Sequence, residues 1–92
     1  MGDVEGHSVI SPEVLARYAA DAAAEVPGVH TKQRRGARVT GGGVEVHLVV
    51  DYGADVPRVA AEVQRHVREY LQRMADVTPA AVHVIVDDVQ RG

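Results

Sequence analysis

The sequence predicts an α+β two-layer sandwich: two helices on one face of a three- to four-stranded mixed sheet, in the order (β)-α-β-β-α-β. Three observations carry this. Apolar residues recur at helical spacing through 12–25 and again through 56–74. From Val44 to Val50 and from Val82 to Val86 every second residue is apolar, giving each strand one wholly apolar face. Each of these elements has one apolar side only, so the helices and the sheet must cover one another. The strand–helix–strand unit from Val44 to Val86 requires a right-handed crossover between two parallel strands.

Residues 1–8 are polar and glycine-containing, and are expected to be flexible. Ser8-Val9-Ile10 forms at most a short edge strand. Ser11-Pro12-Glu13 is a helix start, with Ser11 as N-cap, Pro12 at the first helical position and an acid in the first turn. Val14, Leu15, Tyr18, Ala19, Ala22 and Val26 make the inner stripe, and Pro27-Gly28 ends the helix near Glu25. A short strand is expected around 37–40. Gly41-Gly42-Gly43 then reads as a hairpin turn, on the ground that glycine alone takes successive positive φ angles cheaply.

In the next strand Val44, Val46, Leu48 and Val50 share one face, and Glu45, His47 and Val49 the other. Asp55 is an N-cap, followed by Pro57 in the first turn. Val56, Val59, Ala60, Val63, Val67, Tyr70, Leu71 and Met74 fall in an arc of about 120°, the width of a core-facing stripe. The other side of that helix is charged, with Glu62–His66 and Glu69–Arg73 at pairing distance. In the last strand Val82, Val84 and Val86 point inward, and His83 and Ile85 outward.

The 92 residues form one domain, 1–92, near the lower limit for folding without a staple. The absence of cysteine rules out disulfides and thiolate metal sites. Hydrophobic residues make up 46% of the chain, yet Phe and Trp are absent, so the core is expected to be a thin one of Val and Ala. A net charge of −3 weighs against a nucleic-acid binder. No apolar run approaches the ~18 residues of a membrane span, and the acidic start does not read as a signal peptide; the expected compartment is the cytoplasm.

No catalytic constellation emerges. Neither Ser8 nor Ser11 has the context of a nucleophile. Of five histidines, His47 and His83 share the outward sheet face with Glu45, which would be a metal triad only if the three met; they read more simply as surface imidazoles. Gly41–Gly43 joins two strands, not a strand and a helix, which removes a phosphate loop. Asp87 and Asp88, as neighbours on a strand, are expected to point to opposite sides. No catalytic residue, cofactor or metal is therefore expected. One charge cluster stands out, Lys32, Arg34, Arg35 and Arg38, which reads as a solvated loop or as a contact for an acidic protein, RNA or lipid headgroup.

The segments Ile10–Leu15 and Glu25–Val29, then Val44–Val50 with Tyr52-Gly53, Val56-Pro57, Val59-Ala60 and Val63-Gln64, and finally Val82–Val86 with Asp88-Val89, resemble the alkaline shock protein family of the bacterial envelope stress response. The resemblance runs in order from Ile10 to Val89. Ala75-Asp76 stands where family members commonly have Thr-Gly, His83 where many have Asn, and the charged C-terminal extension of some members is missing. The resemblance implies a cytoplasmic, non-enzymatic stress protein that self-associates and sits near the membrane through a membrane-anchored protein partner. The residues independently suggest a weak homo-oligomer, formed through the open sheet face or its edge, with Val49 and Ile85 at its centre beside His47 and His83. The alternative is a small RNA-binding module using the basic 32–38 loop.

Overall fold

A computed structural model describes residues 10–30 and 36–91. Helix α1 spans Pro12–Ala24, strand β1 Ala37–Val39, strand β2 Gly43–Asp51, helix α2 Val56–Ala75 and strand β3 Ala81–Gln90. The sheet order is β1-β2-β3, with β1 antiparallel and β3 parallel to the central β2. This is an α+β fold, with three strands among the described residues. Of the optional strand at 8–10, only Ile10 lies within the described residues, and it is not in a strand; Ser8 and Val9 lie outside them.

The helix starts follow from their caps. Ser11 Oγ accepts from the Val14 N–H at 3.2 Å, and Asp55 Oδ1 accepts from the Arg58 N–H at 3.3 Å; each meets a donor that the first helical turn leaves unpaired. Helix α1 stops one residue earlier than expected, because Glu25 serves as its C-cap. The following Val26–His30 segment returns along β2: the His30 N–H donates to the Val49 carbonyl (2.7 Å), and the Asp51 N–H to the Gly28 carbonyl (2.8 Å). Gly28 holds φ +97°, and a Cβ there would press on Val59 Cγ2 at 2.8 Å.

The glycine hairpin is present, for a different reason from the one expected. None of Gly41, Gly42 and Gly43 takes positive φ. Instead Gly43 opens β2 directly beside Ala81, where a Cβ would collide with the Ala81 carbonyl. The first residue pair of the parallel ladder thus needs a bare backbone.

The core is aliphatic and thin. Ala19, Ala22, Ala23 and Val26 of α1 and its C-terminal turn meet Val59, Val63, Val67 and Leu71 of α2. Below them lie Val44, Val46, Leu48 and Val50 of β2, with Val82 of β3. Among the described residues no polar side chain is buried. The rims are aromatic: Tyr18 and Tyr70 meet edge-on, ring centres 6.1 Å apart, across the two helices.

The charged side of α2 pairs differently from the spacing expected. Arg65 reaches both Glu62 (2.7 Å) and Glu69 (3.0 Å), while His66 Nε2 lies 2.8 Å from Glu25, the C-cap of α1. All are solvated pairs of small energetic weight. Among the described residues no helix is long and apolar enough to cross a membrane.

Asp76 ends α2 in the left-handed region, at φ 55°. Its N–H donates to the Leu71 and Gln72 carbonyls, and the Val77 N–H to the Leu71 carbonyl (3.2 Å), the pattern that glycine usually supports. The position where the resemblance implies glycine therefore keeps the glycine geometry with an L-residue. Its Oδ1 accepts from Gln72 Nε2 at 3.2 Å, a local offset to the steric cost.

Asp76→Gly should accordingly stabilise the protein by about 0.5–1 kcal/mol, raising its Tm by a few degrees in thermal melts. A lowered Tm would show that the Gln72 contact outweighs the backbone cost. Val63, with no exposed surface, sits mid-stripe on α2. Val63→Asp should cost several kcal/mol against a total of ~5–15 for a typical domain, abolishing the cooperative melt by circular dichroism. A Tm within a few degrees of the parent's would mean that this stripe carries no core.

Candidate interaction surface

Both helices lie on one side of the sheet, leaving the other side open. Cross-strand register decides what meets there. Arg38 lies opposite Glu45, Glu45 opposite His83, and His47 opposite Ile85. Between Leu48 and Val49 the register shifts, so that Leu48 faces Val86 while Val49 faces Asp88. Asp87 is the extra residue of this bulge on β3.

The bulge adds Asp87 to a chain of linked polar and charged side chains. Arg38 Nε donates to Glu45 Oε1 (2.8 Å), the same oxygen lies 3.2 Å from His47 Nε2, and His47 Nδ1 lies 3.1 Å from Asp87 Oδ2. Three strands thereby contribute to one line of hydrogen-bonded polar and charged side chains, and its inner members are well covered: Glu45 and His47 side chains are 19% exposed. A charged imidazole donates from both nitrogens and completes both contacts, whereas a neutral ring donates from only one. The Arg38 guanidinium first, and the His47 ring second, hold the Glu45 carboxyl below the ordinary glutamate range.

The residues expected at this surface are placed as follows. His47 is in the charged chain, and Arg38 begins it. Ile85, 36% exposed, lies beside His47, and His83 is exposed beside Glu45. Val49 is half-buried and lies opposite Asp88, which makes Ile85 and Val49 diagonal neighbours across the two strands. Ile85 borders an open depression of about 460 Å³ with Ala37, Arg38, Glu45 and His47. Lys32, Arg34 and Arg35 lie outside the described residues.

One reading is corrected. Asp87 and Asp88 do not alternate: the bulge brings Asp87 onto His47 and pairs Asp88 with the open-face Val49. His83 lies opposite Glu45, one cross-strand pair along from His47, and among the described residues no three His, Cys, Asp or Glu side chains are gathered for a metal ion. Sequence reasoning missed the roles of Glu45 and Asp87. The hairpin register could have paired Arg38 with Glu45, whereas nothing in the alternation of β3 announces its bulge.

The model of the alkaline shock protein family, described as of cell envelope-related function, matches residues 38–91. That is more than half of the chain, and it covers the whole sheet apart from Ala37, together with all of α2. The chain belongs to the alkaline shock protein family. The resemblance read from its segments is thereby shown, with the family's description pointing to the cell envelope. Helix α1 precedes the matched span, but is included in a second similarity. "Uncharacterized protein YqhY" of Bacillus subtilis (strain 168) is 28% identical over 110 residues, covering 98% of this chain and 78% of that protein. Among solved structures, a triple-substitution form of the MamM CTD covers 85% of this alkaline-shock-family chain and 95% of its own length, at 25% identity and a TM-score of 0.50. A single-substitution form covers 87% and 100%, at 24% identity and a TM-score of 0.52. The latter likeness is one of fold.

The Glu45 pairing has a testable sign. A carboxyl held low in the folded state adds stability above its unfolded pKa, and loses it as pH falls through the folded value. Glu45→Gln should therefore melt below the parent at pH 7, with the gap closing as pH drops beneath the ordinary glutamate range of about 4.3. Melts from pH 7 to pH 3 check this, and a gap that stays constant would remove the ionic account.

Proposed function

We propose that this member of the alkaline shock protein family acts without catalysis, as a single-domain envelope stress response protein in the cytoplasm. It self-associates and is held near the cytoplasmic membrane by a membrane-anchored protein partner. The observation that carries this reading is the open sheet face. It is half-covered by a line of charged side chains running from Arg38 to Asp87, with Ile85 set beside it. Such a surface offers fixed charges of both signs and a modest apolar spot, which suits a protein contact. It offers no nucleophile–base pair, and the charged atoms are engaged with one another. The family's description as cell envelope-related supports the placing, and the composition, with net charge −3, favours a protein partner over a polyanion.

Sedimentation equilibrium of the protein over a wide concentration range tests the reading. We expect reversible association above the monomer mass, with Ile85→Lys weakening it by roughly tenfold or more, since an ammonium would be buried at the contact. A parent protein that remains monomeric at every concentration overturns it.

A further inference from the structure

The two edges of the sheet are treated differently. On the β1 side, the edge of β2 is covered at both ends: residues 28–30 bond to it at Val49 and Asp51, and β1 pairs with it from Val44 to Val46. On the other side, β3 is ten residues long, and among the described residues no strand lies beyond it.

The backbone groups that β3 turns outward follow from its register. The His47 N–H and the Val49 carbonyl bond away from β3, to Gly36 and His30, so Val44, Val46 and Leu48 turn theirs toward it. In a parallel ladder each of these reaches the residues flanking its partner. With Val46 opposite Val84, those are His83 and Ile85, which leaves Val82, Val84 and Val86 facing out. Gln64 of α2 agrees with this parity, because its Nε2 donates to the Val82 carbonyl at 3.1 Å.

Exposed edges are ordinarily blunted by charge, proline, a bulge or a covering group. Here Gln64 covers one end of the run and the Asp87 bulge, with its carboxylate, closes the other. Between them, Val84-Ile85-Val86 carries no lysine, glycine or proline, and every residue is β-branched. The edge is protected at both ends and open in the middle.

We propose that a second copy of this chain adds to this edge, β3 against β3 and antiparallel, about a twofold axis at Ile85. The proposal rests on the self-association put forward above and locates it. The register follows from self-complementarity. With the axis at Ile85, Val84 meets the second copy's Val86, both with outward-turned backbone groups, which gives the hydrogen-bonded pairs on either side. Ile85 meets Ile85, and His83 meets Asp87, an imidazole against a carboxylate, twice by symmetry. An axis at Val86 would set Ile85 against Asp87. An axis at Val84 would require the Val82 group that Gln64 already covers. The result is one continuous six-stranded sheet, three strands from each copy, whose open face carries both charged lines.

The chain has no cysteine, so single substitutions report the geometry directly. In the proposed register Ile85 occupies a non-hydrogen-bonded pair with Cα atoms about 4.5 Å apart, within disulfide range, whereas residue 83 and its copy lie about four residues out of step. Under mild oxidation, with rates corrected for thiol reactivity, Ile85→Cys should cross-link to a dimer roughly tenfold or more faster than His83→Cys. The double variant His83→Cys, Asp87→Cys should recover the fast rate. Equal rates at 85 and 83 would indicate face-to-face stacking or random collision and overturn the edge pairing. If the parent associates while Ile85→Cys links no faster than His83→Cys, the edge assignment fails alone. A parent that never associates takes both with it.

Discussion

Strand β2 is buried along one face by Val44, Val46, Leu48 and Val50, and the position of every other element is a consequence of that burial. Four branched aliphatics on one side of one strand demand a cover, but short side chains make a shallow layer. The helices must come close, and α1 does so with Ala19, Ala22 and Ala23, all fully buried. Helix α2 supplies Val63, Val67 and Leu71 from the parallel crossover. Both helices lie on one side, and the other side of the sheet stays open.

The backbone reflects the same shallowness at its tightest points. Gly43 allows β2 and β3 to begin their ladder with no side chain between them, and Gly28 lets the turn after α1 rest on Val59. At the end of α2 the left-handed cap is kept by Asp76, which shows that the geometry of the turn matters more there than the identity of its residue.

The bulge in β3 connects fold and surface. One extra residue opposite Leu48/Val49 reverses the alternation of β3 and brings a carboxylate to the open side, where His47 meets it. The same residue ends the smooth outward edge of the strand. A single backbone irregularity thus helps shape both the charged line across the face and the limit of the exposed edge, which ties the electrostatics of the surface to the geometry through which a neighbour would approach.

By itself the sequence determined the α+β class, both helix starts, the parallel crossover and nearly the whole aliphatic core, because caps and periodicity are local and the apolar residues obey one period per element. Ser11, Asp55 and the Val44–Val50 alternation left little freedom. It also carried the family resemblance, in motifs that are short and ordered. What only the tertiary structure decided were pairings between distant residues: His47 with Asp87, His66 with Glu25, Gln64 with the backbone of Val82, and the return of residues 28–30 along β2. These depend on register, and one inserted residue in β3 changes which side chains meet. Periodicity along a strand fixes the side to which a residue points in a regular ladder; it holds no record of where the ladder slips, since the slip is set by how two strands and the helix above them pack together.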